Sequence, residues 1–494
     1  MNYAKPTDTQ NEKGAWLLII LCAIVAGVIL PLTQHLAGIQ DGDGILTALM
    51  STQHLTWYFW GQDRLLNLLP AIASPVTDIE WNLRFQVFLR SFFAYLSPLG
   101  FLVFFSRSPR FLLLATAVTN IILLSALSQY AQFNVYVQHS MFCTSLVLFG
   151  LAYLLMHANL PAAVKLVLVT LICALMYATN YALLVYALPF AVLMVVANWA
   201  DKARYIAFFA CNCIGVVLAN LHGKYFGERS TEFGISPSLD ALITSLGIIY
   251  EHVSIIVVIV AVVVAAALYR RAQVTKPLVL LAGIAAAGGM VLVVCSATWV
   301  QMNLYNIRYF LTSVIVVAAV LAAVIAEAML RWNLSTGRLA GVSLALIAAG
   351  SIFALGSFNG AYSTLVGAPW RTSSDAVGEV VVQQQARLVI GGYWDVWPTV
   401  YAAEKYEQQH QLPDFKVFGG AYKGHPMEQA FVEQTAGKGD QIAICYLDSA
   451  PACVNEARAQ LRIPETVKIE VKDSQEMTVL DKRLLRLVIE VVGA

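Results

Sequence analysis

The sequence predicts a mainly α membrane protein, with about eleven transmembrane helices followed by a small C-terminal α/β domain outside the membrane. Three observations predict it. Of 494 residues, 59% are apolar and only 12% charged, against about 25% charged in soluble domains. The mean hydropathy is +0.68. The apolar residues gather into runs near the ~20 residues needed to cross the hydrocarbon, whereas residues 358–494 have ordinary charge density and no such run. A single water-soluble domain, a disordered chain, a coiled coil and a collagen-like chain are excluded. The formal net charge of +1 supplies no basic field, so no nucleic-acid partner is expected.

The candidate spans are residues 15–31, 86–106, 111–128, 140–157, 165–179, 181–198, 205–221, 242–268, 277–297, 308–330 and 339–357. The boundary at Thr179-Asn180 is the least marked. The first span reads as a retained helix rather than a signal peptide, because Pro31-Leu32-Thr33-Gln34-His35 follows it in place of a small-x-small cleavage site. Orientation follows from basic residues in short loops. Lys5, Lys13, Arg107, Arg110, Lys165, Lys202, Arg204, Arg270, Arg271, Lys276, Arg331 and Arg338 fall on one side, and Arg64, Arg84, Arg90, Lys224, Arg229 and Arg308 on the other. The N-terminus is therefore expected in the cytoplasm. An odd number of spans puts residues 358–494 outside, and one span more or fewer would put them in the cytoplasm.

Two domains are expected: residues 1–357, a helical module carrying a first outer loop over 32–85, and the outer domain 358–494. In the loop, apolar residues recur at a helical period from Ile45, and Trp57, Tyr58, Phe59 and Trp60 cluster after them. Such aromatic clusters favour the headgroup level. The stretch 64–70 is short and amphipathic. Both stretches are too short to span and are expected along the outer membrane surface. In the outer domain, 387–390, 416–418, 442–447, 467–471 and 484–491 read as strands, and 396–409, 427–434 and 453–461 as helices. Cys22, Cys143, Cys173, Cys211, Cys213 and Cys295 lie in or beside spans and read as apolar packing. Cys445 and Cys453 lie in the outer domain, where an oxidising compartment favours a disulfide; Cys-x7-Cys does not match zinc spacing.

Four polar features carry candidate chemistry. Asp41 and Asp43, in Gln40-Asp41-Gly42-Asp43-Gly44, place two carboxylates just after the first span. Either can serve as a general base for a hydroxyl or hold a divalent cation. The plainer reading is a solvated turn with Asp43 capping the helix from Ile45. Asp63-Arg64 follows the aromatic cluster, and an arginine at headgroup level can grip a phosphate bidentately or simply pair with its neighbour. Arg308, in Asn303-Leu304-Tyr305-Asn306-Ile307-Arg308-Tyr309-Phe310, opens a span from outside. An ionisable residue there is a candidate for function or a snorkelling anchor. In Gly391-Gly392-Tyr393-Trp394-Asp395-Val396-Trp397, aromatics beside a carboxylate suit a sugar, or else form a core turn capped by Asp395. Lys224, Glu228, Arg229 and Glu232 read as solvated loop, and His54, His139 and His222 as interfacial polar residues. No common nucleotide, nucleophile or metalloprotease motif is present.

The layout resembles the GT-C superfamily, multi-span glycosyltransferases that use sugars linked to polyprenyl phosphate. Asp41 and Asp43 in the first outer loop, the amphipathic stretch 45–69 and the domain 358–494 carry the resemblance. The strings WGQDR…NLLP (60–70) and GYWD (392–395) are similar to those of bacterial members that modify surface polysaccharide. The resemblance implies a multi-pass protein of the bacterial inner membrane that transfers a hexosyl or pentosyl group, with inversion, from a polyprenyl-phosphate donor, undecaprenyl phosphate in bacteria. The acceptor would be a hydroxyl of a lipid-linked or surface glycan of the cell envelope. Asp43 would be the base, with Asp41 in reserve. Arg64 and Arg308 would bind the donor phosphate, and Asp63, Trp57, Trp60, Tyr309, Trp394 and Asp395 would contact substrate. Membrane lipids are the remaining partners. No cofactor is required, and a divalent cation is left open.

Competing classes are a polysaccharide ligase or polymerase, a transporter and a non-enzymatic scaffold. A ligase or polymerase leans on a large late loop, and 222–240 and 296–307 are short. A transporter calls for repeats and charges at mid-membrane, and neither is evident.

Overall fold

A computed structural model describes residues 8–32, 42–138, 141–228, 234–272, 274, 276–331, 337–338, 341–346, 348–349, 368–412 and 415–492. Among these, seven helices are long and apolar enough to cross a membrane: Lys13–Leu30, Ile79–Phe105, Pro109–Ala126, Ala162–Thr179, Trp199–Phe226, Pro277–Val294 and Leu311–Leu330. A pair bent by 54°, Gln129–Tyr136 with Met141–Met156, makes an eighth if it is one span. The expected eleven is thus not reached among the described residues. Residues 181–198 form a shorter helix, and 242–268 divides into Leu239–His252 and Ile255–Ala272. The division has a cause. Val253 bridges to Leu127, Ser254 N–H donates to the Ala126 carbonyl, and Ser128 N–H donates to the His252 carbonyl. Backbone groups freed at the break thereby find partners inside the protein, as an apolar surrounding demands. The eleventh expected span, 339–357, falls largely outside the described residues.

The first loop folds inward. Helix α1 (Asp8–Leu32) is followed by α2 (Gly42–Thr52), whose residues from Gly44 to Ser51 are buried, so it is not the surface helix its period suggested. The stretch 64–70 yields only the short α3 (Leu68–Ala73). A polar stripe on the next helix, α4 (Ile79–Leu96), explains the burial of α2. Asn82, Gln86 and Arg90 recur every four residues and so share one face. The Asn82 amide donates to Ser51 Oγ, that of Gln86 to the Thr47 carbonyl, and Arg90 to Thr47 Oγ1 and the Gly44 and Val137 carbonyls. Arg90 was assigned to an outer loop by sequence, yet it is only 1% exposed. Buried polar groups are tolerated when so bonded, and this ladder fixes α2 in place.

The C-terminal unit is a five-stranded mixed sheet in the order β2-β1-β3-β5-β4: β1 (Ala386–Ile390), β2 (Phe418–Gly420), β3 (Asp440–Cys445), β4 (Lys468–Val479) and β5 (Lys482–Val492). Strand β1 runs parallel to β2 and β3, and β5 runs antiparallel to β3 and β4. The expected 416–418 strand lies two residues later, and 467–471 is the start of a long hairpin arm. Four helices pack on the sheet: α5 (Ala368–Gln383), α6 (Tyr393–Gln409), α7 (Glu428–Thr435) and α8 (Ala450–Leu461). The first of them was not read from sequence. Cys445 and Cys453 are disulfide-linked, with Cα atoms 6.1 Å apart.

This unit docks on the first loop. Gln53 donates to Glu404, Gln408 accepts from Ile79 N–H, and Lys416 donates to the Gln53 carbonyl. At the centre Trp60 meets Trp397, with ring centroids 5.6 Å apart and an interplanar angle of 62°. Such aromatic pairs contribute about 0.5–1.5 kcal/mol beyond area burial. Trp60 is buried here, whereas Trp57 remains 60% exposed. The aromatic cluster therefore divides between a seam and a surface.

Candidate active site

Three chain segments converge on Asp43. Gly42 begins α2, so Asp43 sits in the first helical turn rather than capping a helix from Ile45. A negative charge in that turn is favoured by the helix dipole. The second segment is the tight turn Ile307–Tyr309 before the helix Leu311–Leu330. Arg308 Nη1 lies 3.4 Å from Asp43 Oδ2. Its Nη2 donates to Tyr309 Oη at 3.1 Å, and Asn306 Oδ1 accepts from the Arg308 N–H. The Asn306 amide donates to Tyr130 Oη at 2.5 Å, which anchors the turn. Burial acts against the Arg308 charge, but Tyr309 and Asp43 outweigh it and hold the guanidinium well above its ordinary value.

The third segment is the C-terminal sheet unit. Parallel strands β1 and β2 end side by side, with Ile390 opposite Gly420. Tyr393 follows the first end and Lys423 the second. Carboxyl ends of parallel strands are the usual place for ligands in open α/β sheets. Gly391 has φ +145°, which lets the chain turn from β1 into α6. Tyr393 Oη donates to Asp43 Oδ1 at 2.5 Å, and Lys423 Nζ lies 3.7 Å from the same oxygen. Gly42 makes room for this approach, since a Cβ there would come within 3.0 Å of the Tyr393 ring and 3.1 Å of Trp394. The Asp43 side chain is only 13% exposed.

The sequence-selected residues are distributed as follows. Asp43, Arg308 and Tyr309 come together. Asp41 lies outside the described residues. Trp394 stands beside Tyr393 and is 56% exposed. Asp395 does not cap α6, whose N-cap is Gly392; it pairs with Lys482 at 3.0 Å. Asp63 and Arg64 pair with each other at 3.6 Å, against the end of the helix Lys202–Phe226, where Gly223 and Gly227 leave space for the Asp63 backbone. Trp57 lies on the same flank, packed on His222 and Phe226. Tyr58, which accompanies it, is bonded to His222 and pushed up to about 12 by burial and by Asp63. Glu228 is not a solvated loop residue: it meets His425 and, at 3.7 Å, Arg462. Arg229, Glu232 and His139 lie outside the described residues. Among the described residues no group of three or more His, Cys, Asp or Glu side chains is placed to hold a metal ion.

Tyr393, Lys423 and Asn306 were not selected by sequence. Tyr393 and Asn306 lie inside strings that were singled out. Lys423 carries no sequence signal, because only the pairing of β1 with β2 brings it to Asp43.

No protein-family model matches the chain, and no curated protein matches it. Among solved structures, the chain is similar to the crystal structure of ArnT from Cupriavidus metallidurans in the apo state, with 11% sequence identity and a TM-score of 0.44, covering 96% of this chain and 98% of that one.

Proposed function

We propose that the protein is an integral-membrane glycosyltransferase of the GT-C type in a bacterial inner membrane. It moves a sugar from a polyprenyl-phosphate donor to a hydroxyl of an envelope glycan or glycolipid. The N-terminus is cytoplasmic and residues 358–494 form the periplasmic domain. One observation carries this reading: a largely buried carboxylate, Asp43, stands beside the guanidinium of Arg308 where the helical module meets the sheet unit. The long apolar helices and the GT-C resemblance of the sequence support it.

In the proposed reaction Asp43 Oδ2 accepts the proton of the acceptor hydroxyl. The hydroxyl oxygen attacks the anomeric carbon from the face opposite the phosphate. The carbon–oxygen bond to phosphate breaks with its electron pair, and the polyprenyl phosphate leaves with the configuration inverted. Arg308 stabilises the charge that develops on the leaving phosphate. Trp394 and Tyr309 border the sugar.

The test is transfer by the purified protein in vesicles, supplied with undecaprenyl-phosphate hexoses and pentoses and an envelope lipid extract. Released undecaprenyl phosphate is read by chromatography. Asp43→Asn is expected to lower the rate by about 100-fold or more, as loss of a general base does, with an unchanged unfolding temperature. Parental rates in both Asp43→Asn and Asp41→Asn would remove the proposed base.

A further inference from the structure

Lys423 occupies an uncommon setting. Its backbone is in the left-handed region, φ +75°, which a residue with a side chain adopts only when its surroundings hold it there. Its side chain is 11% exposed. Its ammonium lies 4.3 Å from the centroid of Phe59, 5.2 Å from Tyr393 and 5.6 Å from Tyr422. Rings around an ammonium stabilise its charge through their quadrupoles. The Tyr422 carbonyl accepts from buried Trp397 Nε1, which ties this turn to the centre of the seam. Gly61, with φ +72°, lies under the Lys423 stem, where a Cβ would sit 3.6 Å from Cγ.

The two oxygens of Asp43 are held differently. Oδ1 faces Tyr393 and Lys423, both from the sheet unit, and Oδ2 faces Arg308 from the helical module. We infer that Lys423 is a positioning residue: with Tyr393 it pins Oδ1, keeps the carboxylate ionised, and leaves Oδ2 as the oxygen that acts on substrate. This rests on Asp43 being the base. It makes docking of the sheet unit a condition for an active carboxylate, so the two units work as one catalyst although Lys423 itself touches no reacting atom.

The experiment reads Asp43 without substrate. The full-length protein in detergent is treated with dicyclohexylcarbodiimide, an uncharged reagent that takes the proton it needs from a shielded carboxyl, and labelling of the Asp43 peptide is followed by mass spectrometry across the acid range. Among the described residues, Arg308 meets Asp43 from one side, with Tyr309 bonded behind it, and Lys423 and Tyr393 meet it from the other. Removing one cation favours the protonated carboxyl, so Lys423→Met is expected to move the pH of half-labelling up by about one unit. Lys423→Arg, which restores the charge, is expected to return it towards the parent. Labelling by Lys423→Met at the parental pH, with the unfolding temperature retained, would overturn the inference. If Lys423→Met unfolds, Lys423→Arg and Tyr393→Phe decide it: Tyr393→Phe must shift labelling in the same direction and Lys423→Arg must not. A parental transfer rate in Asp43→Asn would instead sink the base assignment. A labelling shift beside an inactive Asp43→Asn supports both.

Discussion

In the proposed reaction Arg308 is the residue that meets the donor phosphate. Its guanidinium is three-quarters covered, at 25% side-chain exposure, and it is held by Asp43 Oδ2 and Tyr309 Oη. A buried cation in this setting binds a phosphate more strongly than a snorkelling one, because little water has to be displaced and the group is already oriented. Hydrogen bonds to charged groups contribute about 1.5–3 kcal/mol each. Arg308→Ala is accordingly expected to weaken binding of undecaprenyl phosphate by roughly 10- to 100-fold, measured with radiolabelled lipid. Equal affinity in variant and parent would reduce Arg308 to a membrane anchor. Asp43 and Arg308 were legible in the sequence because each is an ionisable residue at the end of an apolar run, where charge needs a reason. Arg64 satisfied the same criterion and pairs with Asp63 instead. The turn anchored by Asn306 and Tyr130 carries Arg308 to Asp43.

At the scale of elements, the helices were legible and their ends were not. Proline at 98 and the Leu127–Val253 bridge interrupt apolar runs that hydropathy reads as continuous. The burial of α2 was hidden because its partner stripe, Asn82, Gln86 and Arg90, straddles the expected boundary between the first outer loop and the span 86–106. The seam between the units shows the same effect. Glu228 and His425 are nearly 200 positions apart and meet beside Gly61. Burial, helped by Arg462, holds the His425 imidazole down at about 4, and burial raises Glu228 against the pull of Arg462. With the folded value below the ordinary 6.5, the unfolded chain binds the extra proton first. Stability from this group is therefore full above about pH 6.5 and is lost as the pH falls towards 4. The unfolding temperature of the purified protein is expected to drop across that window, and His425→Gln is expected to flatten the drop. An identical pH dependence in the variant would show that the loss arises at other groups.

For the whole molecule, the membrane class, the helical character and the separate C-terminal sheet unit follow from composition and from the change in charge density near residue 358. What the sequence leaves out is the closure between the two units. Asp43, Arg308, Tyr393 and Lys423 are spread over 380 residues and meet around one carboxylate, so all four face a single side of the membrane in the proposed topology. In the proposed reaction the Arg308 cation beside this carboxylate meets the phosphate carried on the lipid. The most direct measurement is an electron cryomicroscopy map of the protein in lipid nanodiscs with undecaprenyl phosphate added. The account predicts phosphate density against the Arg308 guanidinium, on the side of Asp43 Oδ2, with the isoprenoid running out between helices. Phosphate density elsewhere on the protein, with Arg308 still paired to Asp43, would contradict it.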